Sequence, residues 1–410
     1  MISDDPIGII ELGNTKIKFI VAQFNDENIE EILSSSISNS EGIHNGVIVN
    51  LNKASKSIRF CINDAEKKAE TVIKKIYVIV EEPEFLCTKL SKDRRINGSK
   101  VQKEDIDFLL KEAKKQINLN DNKQSIIHIF NHNYIVDGKK FLEEPINVYA
   151  DYLRHEMTFV TMPKNNIKNI NQTFINCDIE VERLISCTFA SAIELLNHND
   201  FLKGAILVDI GFEKVSLGLF RNLALVNSLT LPVGINHIIK DISKICNLSM
   251  REAKIILENI DFSFIEDHQL FDENNYLKKN YFTDSNFRKI SKLLIFNIIK
   301  ARVDELFKLI NKPIVLSGFD TTLGTKFFIT GGGSNLLNID IYFSKMFEVE
   351  VEKLPDSKNP KKKREIESFV SCLGALKLIK NGWETEAIAQ PSNAHDQKKG
   401  FFAKIFGNLG

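Results

Sequence analysis

The alternation of apolar and polar positions over residues 7–24, IGIIELGNTKIKFIVAQF, predicts a strand, a tight polar turn and a second strand. Residues 206–220, ILVDIGFEKVSLGLF, repeat that outline: Glu11 answers to Asp209, Leu12 to Ile210, Gly13 to Gly211, Lys16 to Lys214 and Ile17 to Val215. An acidic residue closing an apolar strand, then a glycine turn and an alternating strand, occurring twice, implies two similar halves with a ligand cleft between them. After the first hairpin, residues 28–38 predict a third strand, and 42–49, GIHNGVIV, a glycine-bearing loop entering a strand or helix. Residues 52–69 place Ile58, Cys61, Ile62 and Ala65 on one helical face, and 75–80 form another apolar strand. Mixed strands and helices in this order suit an α/β domain.

The pattern changes over residues 83–163, which have no counterpart in the second half and are expected to form an inserted subdomain. Ser99 is placed to cap a helix whose apolar face is Val101, Ile106, Leu109, Leu110, Ala113 and Ile117. Residues 125–136 predict two short strands before an Asp137-Gly138 turn, and 156–162 another. Helices are expected at 165–174 and 191–196, and Ser249-Met250-Arg251-Glu252 is a capping box opening a further one. Residues 287–310 read as the longest helix, with Ile290, Leu294, Ile298, Arg302, Glu305 and Leu309 tracing its turns. A strand at 327–330 runs straight into Gly331-Gly332-Gly333-Ser334-Asn335 and a helix; 346–352 predict a strand and 368–380 a last helix. Residues 384–397 are polar and unpatterned, a linker by composition.

Composition narrows the function classes. The 54 basic and 54 acidic residues cancel, so no global field draws the chain to nucleic acid. The six cysteines are scattered without a CxxC pair, the usage of a reducing cytosol, and Asp4, Asp5 and Pro6 stand where a signal peptide would be basic and apolar. No stretch reaches the roughly 18 apolar residues of a membrane span. His128 and His132 fall four apart in a strand pattern and are read as surface residues rather than metal ligands. The basic run Pro360-Lys361-Lys362-Lys363-Arg364 lies among acids and is read as a solvated loop. The final stretch differs: on a helix, Phe402, Ile405, Phe406 and Leu409 form one apolar stripe edged by Phe401 and flanked by Lys398, Lys399 and Lys404. That is the composition of a short helix lying in the headgroup region of an anionic bilayer.

Glycine turns after strands matter because a phosphate needs backbone N–H groups with no side chain in the way. The three turns together resemble the actin-like ATPase superfamily. GNTK matches its first phosphate loop, VDIGF its second and ITGGGSNL its adenosine-side loop. Within that superfamily the inserted segment, with YIVDG followed by Pro145, Tyr149 and Leu153 and then NCDIEVERLISCTFASAIELL, is similar to the FtsA family of bacterial cell-division proteins. GIHNGVIVNL, LTLPVGINHIIKDI and the basic-amphipathic tail fit the same family.

The resemblance implies an α/β fold of two actin-like (ribonuclease H-like) domains flanking a nucleotide cleft, with an FtsA-type 1C subdomain inserted. It divides the chain into 1–82 (domain 1), 83–163 (1C), 164–204 (return of domain 1), 205–367 (domain 2), 368–383 (closing helix of domain 1), 384–397 (linker) and 398–410 (membrane helix). It implies ATP with Mg²⁺ at Gly13, Asn14, Thr15, Lys16, Asp209, Gly211, Lys214, Gly331, Gly332, Gly333 and Ser334, the metal held through water by Glu11 and Asp209. Equally, those two carboxylates could bond the turns' own N–H groups. The expected function is an actin-like scaffold that polymerises on the cytoplasmic face of the inner membrane at the division site. There it anchors FtsZ, binding the FtsZ C-terminal peptide through residues 243–320, and recruits later division proteins. The competing class is an enzyme of the same superfamily, a sugar kinase or chaperone-type ATPase. Against it stand the departures from the superfamily pattern. Glu11 replaces an Asp, and Phe212, Glu213 and Lys214 replace two glycines and a threonine, with Glu213 expected to aim charge at the phosphates. The ribose-holding Ala-Glu-x-x-Lys helix stands as Ala253-Lys254-Ile255-Ile256-Leu257. The expectation is at most a weak ATPase.

Overall fold

In the computed structural model the described residues are 6–24, 30–263, 270–319, 324–354 and 360–381. The chain opens with β1 (Ile7–Leu12), β2 (Lys16–Phe24), β3 (Glu30–Asn39), the two-residue β4 (Ile43–His44) and β5 (Val47–Ile48), α1 (Leu51–Ala69) and β6 (Lys75–Val80). There follow β7 (Leu86–Lys100), α2 (Lys103–Asn120), β8 (Gln124–Val136), β9 (Lys139–Phe141) and β10 (Tyr149–Pro163). Next come α3 (Lys164–Ile175), β11 (Glu180–Ser186), α4 (Cys187–Leu195) and α5 (His198–Lys203). The later part holds β12 (Ala205–Ile210), β13 (Val215–Arg221), β14 (Ala224–Leu231), α6 (Ile235–Cys246), α7 (Met250–Asn259) and α8 (Lys292–Leu316). It ends with β15 (Lys326–Thr330), α9 (Ile339–Phe347), β16 (Val351–Glu352) and α10 (Pro360–Asn381).

Two five-stranded sheets share one order. The first runs β11-β6-β1-β2-β3 and the second β14-β13-β12-β15-β16, so the repeated strand-turn-strand sits at the same place in each. β1 pairs antiparallel with β2 and parallel with β6, while β12 pairs parallel with β15. The chain divides into two compact units. The first runs to Gly204 and regains Gly218–Leu229 and α10; the second takes Ala205–Leu217 and the chain from Thr230 through β16.

In the first unit α1 buries Ile58, Cys61, Ile62 and Ala65, as their spacing predicts, and Asn50 rather than a first-turn acid caps it. α4 and α10 pack so closely that a Cβ on Gly374 would stand 1.8 Å from the Ala190 carbonyl oxygen. The inserted β7-β10-β8-β9 sheet carries α2 on one side, with Ile106 and Leu109 packed near Leu153 and Tyr134, and Ala113 and Ile117 near Met157 and Phe159. α2 is opened by Gln102 with Asp105 and not by Ser99, whose hydroxyl bonds the Ile96 carbonyl instead.

Other expectations shift. Residues 125–136 are one strand; register slips at Glu156/Met157 and Val160/Thr161 of β10 break its ladder without ending it. His128 is buried, contrary to its reading as a surface residue. Its Nε2 accepts the Ser186 N–H at 3.0 Å, its ring packs against Phe130 and Phe189, and burial pushes its pKa well down. His132 is half-buried, and no metal-holding cluster exists among the described residues. The longest helix starts five residues late and turns a different face inward, burying Ile295, Ile299, Val303, Leu306 and Ile310 with Ile298. Met346 and Phe347 finish α9, leaving only Val351–Glu352 as strand, and the basic run at 360–364 opens α10 instead of a loop.

Glu252 ties the second unit together locally. Its capping box with Ser249 forms as expected, and its buried carboxylate also accepts from the backbone of Asp284 (2.8 Å) and from the Ser285 backbone (2.9 Å) and hydroxyl (2.6 Å). Burial alone would raise its pKa from the ordinary 4.5, but these donors outweigh it and hold the group at about 2. A carboxylate depressed on folding stabilises above its unfolded pKa, and that contribution drains away as pH falls from about 4.5 towards 2, on the order of 3 kcal/mol in all. Melting curves between pH 6 and 3 should therefore lose less stability in Glu252→Gln than in the wild type, the variant starting lower at pH 6. At the helix crossing, Gly374→Val should cost roughly 2–4 kcal/mol by overpacking, read as a lowered melting temperature at neutral pH.

Candidate functional site: the glycine turns

The first turn joins β1 to β2. A Cβ on Gly13 would lie 2.4 Å from the Lys16 carbonyl oxygen, so only glycine closes this turn. Asn14 spends its side-chain oxygen on the Asn45 N–H (2.9 Å), Thr15 is exposed with its carbonyl accepting from Ser40 N (3.0 Å), and the exposed Lys16 reaches Asn39 Oδ1 at 2.7 Å. Glu11 faces Lys18 across the ladder, and their ion pair is 2.9 Å long; Ser371 of α10 donates its hydroxyl to the same carboxylate. Burial by itself would lower the Lys18 pKa, yet the Glu11 charge and hydrogen bond carry it above the ordinary lysine value. The inward lysine of this turn is thus Lys18, which the motif reading passed over. Its position opposite Glu11 in an antiparallel pair was the available signal.

An overlooked carboxylate directly follows β6. Glu81, almost fully buried, accepts from the Ser186 hydroxyl (3.0 Å) and from the Thr188 backbone N–H (2.9 Å), gripping the N-terminus of α4. Like Glu11 and Asp209 it closes an apolar strand, and that shared feature would have found it. Neighbouring Glu82, also buried, accepts from Asn166 Nδ2 at 2.9 Å.

The second turn repeats the geometry of the first. A Cβ on Gly211 would meet the Lys214 carbonyl oxygen at 2.8 Å, and the Gly211 N–H donates to that oxygen at 2.9 Å. Its remaining carbonyls cap α6: Ile235 N bonds Gly211 O (3.1 Å) and Asn236 N bonds Phe212 O (2.8 Å). Gly234 is pressed between them, since a Cβ there would lie 2.6–2.7 Å from Phe212 O, Gly211 O and Lys214 N. Two first-turn amides of α6 are therefore already satisfied within the protein. Glu213 is engaged within the protein: Oε1 accepts from Asn236 Nδ2 at 2.6 Å and Oε2 lies 3.9 Å from Lys240 Nζ. An anion beside a helix N-terminus is stabilised there, which is why this carboxylate folds back.

Parallel pairing then brings the third turn beside the second. Asp209 lies opposite Thr330, so β12 and β15 leave the sheet together at their C-terminal ends, where α/β sheets hold ligands. Gly331, at φ +82°, passes so near Asp209 that a Cβ would stand 2.1 Å from its Oδ1 and 2.7 Å from the Ile210 carbonyl; one on Gly333 would meet Ile210 Cγ2 at 2.3 Å. Ser334 turns back, its N–H and hydroxyl both on Gly331 O (3.1 and 2.7 Å). Gly332 has nothing within 4 Å of its Cβ position, so the loop presents open backbone beside a carboxylate. The second unit thus assembles Asp209, Gly211, Gly331, Gly332, Gly333 and Ser334, with Lys214 on the same turn. The residues expected to face a membrane, Lys398, Lys399, Phe401, Phe402, Lys404, Ile405, Phe406 and Leu409, lie outside the described residues.

Two sheets of one order, each with a glycine turn after its central strand, define the actin-like ATPase fold. Solved structures agree. The PilM-PilN type IV pilus biogenesis complex superposes with a TM-score of 0.63 at 12% identity, covering 92% of this chain and 98% of that one. MreB5 of Spiroplasma citri bound to ADP does so at 0.51 and 14%, covering 92% and 99%. A family model for the SHS2 domain inserted in FtsA matches residues 86–161, and one for cell division protein FtsA matches residues 206–374. Among curated relatives, FtsA of Agrobacterium fabrum is 21% identical, covering 81% of this chain and 77% of its own. FtsA of Buchnera aphidicola subsp. Schizaphis graminum is 26% identical, covering 83% and 82%. The chain belongs to the FtsA family of cell-division proteins.

Two neighbouring glycines separate backbone constraint from mere flexibility. Gly331→Ala, strained in φ and blocked by Asp209 and Ile210, should cost roughly 2–4 kcal/mol. Gly332→Ala, in open space, should stay within about 0.5 kcal/mol of wild type. Chemical denaturation of the two variants side by side checks the difference.

Proposed function

We propose that this protein is a membrane-attached actin-like scaffold of the division site, which polymerises, holds the FtsZ C-terminal peptide and binds nucleotide without turning it over quickly. The observation that carries the reading is the inserted β7-β10-β8-β9 sheet with α2, because it is the part of the chain matched by a model specific to FtsA. Subunits stacked head to tail make a heterologous contact that need not close, hence a filament. The FtsZ contact falls to the second unit within residues 243–320.

ATP is assigned to these turns: in the second unit Gly332 leaves open backbone beside Asp209, with Gly211, Lys214, Gly331, Gly333 and Ser334 around it, and Gly13, Asn14, Thr15 and Lys16 are the matching turn of the first unit. For an accompanying Mg²⁺, Glu11 and Asp209 are the carboxylates that would hold it through water, Glu11 also carrying Lys18 and Ser371 on its oxygens. Bound ATP-Mg²⁺ supplies phosphoryl groups and their counter-charge; this chain's own part is positioning. Phosphoryl transfer depends almost wholly on such positioning, and the α6 amides and the Glu213 carboxylate are engaged within the protein. Turnover should accordingly lie well below the roughly 1–100 s⁻¹ of kinases.

No helix among the described residues is long and apolar enough to cross a membrane. Attachment is assigned to Lys398–Leu409 at the cytoplasmic face, each lysine contributing on the order of 1 kcal/mol near an anionic surface. Sedimentation with anionic liposomes should be salt-sensitive, and absent when the chain is truncated after Gln397. Full sedimentation of a Phe402→Glu/Phe406→Glu double variant, or ATP hydrolysis at kinase rates, would sink the proposal.

A further inference from the structure

The inserted sheet ends in an edge that nothing described so far uses. β7 is fifteen residues long, and among the described residues it pairs only with β10, leaving its outer row of N–H and C=O groups uncovered. Such an edge is a template for another strand. Its side chains are Lys89, Lys92, Arg94, Arg95 and Lys100 against the single acid Asp93. Two of these charges are matched locally: Arg94 lies 3.1 Å from Asp105 of α2, and Asp93 lies 2.6 Å from Arg154 of β10. Lys89, Lys92, Arg95 and Lys100 meet no carboxylate among the described residues.

Register shows what lies behind this edge. α2 covers one side of the sheet, whereas the other presents Arg95 opposite Tyr152 and, in the next row, Asp93, Arg154, Ile135 and Lys140 across four strands. The Arg95 guanidinium sits 5.6 Å from the Tyr152 ring centre, and Lys100 Nζ 5.3 Å from that of Tyr149. Both rings are solvent-facing, Tyr152 at 51% and Tyr149 at 68% of full exposure. Among the described residues the near end of this face is covered, where Asn222 of the β13–β14 turn donates to Asn133 (3.0 Å) and the Ser228 backbone meets Cys87. Tyrosine and arginine side by side at an exposed surface are the composition of binding hot spots.

We propose that β7 receives an acidic, extended segment of a partner protein as a fifth strand, with the Arg95–Tyr152 and Lys100–Tyr149 pairs flanking it. Main-chain hydrogen bonds supply the affinity, and the unmatched basic side chains select the sign of the incoming strand. The same charges exclude the β7 of another copy, which would set lysine and arginine against their like. The chain's balanced charge, 54 basic against 54 acidic residues, gives no long-range pull that would favour nucleic acid instead.

The test uses the full chain and a fluorescein-labelled decapeptide alternating Val with Glu, followed by anisotropy. Binding should weaken as salt is raised, the Val–Lys counterpart should not bind, and Lys89→Glu/Arg95→Glu should weaken binding by about tenfold or more. Lys89→Gln/Arg95→Gln should fall between, and unchanged circular dichroism and melting confirm that both variants fold. Two versions of the acidic peptide, N-methylated on alternate residues in either phase, distinguish strand addition from loose charge attraction: one phase should lose binding. Equal binding of both signs of peptide, retention by both methylated phases, or indifference to the Glu variant overturns the proposal. So does tighter binding of single-stranded oligonucleotide or anionic vesicles through these same residues.

Discussion

The parallel pairing of β12 with β15 is the constraint from which the site in the second unit follows. With Asp209 opposite Thr330, both strands must turn at one end of the sheet, and the later turn has to thread past a carboxylate and a carbonyl already in place. Glycine at 331 and 333 is the only composition that lets it through. The earlier turn is fixed in the same way by Gly211 and Gly234 against α6, while the later loop is braced by both the side chains and the backbone of Asp209 and Ile210. Side chains are then left to decide chemistry, and the first unit shows the same division between a glycine that shapes the turn and polar residues around it.

What those side chains do is mostly internal. Glu11 is held by Lys18 and Ser371, Glu81 by the start of α4, Glu213 by Asn236, and Glu252 by the 284–285 backbone and Ser285. Each carboxylate lies near a strand end or helix start, where orphan N–H groups and local dipoles give a negative charge its best protein partners. A loop whose acids and amides are already satisfied can hold a ligand in place but has few groups left to act on it. This is the physical argument behind the slow turnover proposed above.

The parts visible in the sequence were those set by local rules. The echo of the two glycine turns survives as identical sheet order and as matching contacts of Gly13 with Lys16 and Gly211 with Lys214. Helix α1 and the Ser249–Glu252 box depend on spacing and capping alone, and both are found as read. What escaped was decided at a distance. His128 is buried because β11 and α4 close over β8, which no pattern within residues 125–136 reveals. β7 hides its strand character because an edge with one uncovered face carries few apolar residues to alternate. α8 presents a different face because it packs mainly against α6, and Met346 stays helical because α9 continues through Phe347, whose ring lies against Phe307 and Phe327.

The close seating of Gly374 on Ala190 bears on how the molecule is made. α10 is the last described element, yet it packs against α4, β1 and β2 of the first unit, and the hydroxyl of Ser371 completes the surroundings of Glu11. A ribosome adding roughly 5–20 residues per second needs about 10–30 s to pass from residue 204 to α10, and for that time the first sheet waits without its closing helix. During synthesis the apolar sides of α4 and β2 therefore depend on chaperones or on transient cover. The second unit, whose segments are contiguous apart from one hairpin, is the part equipped to mature first.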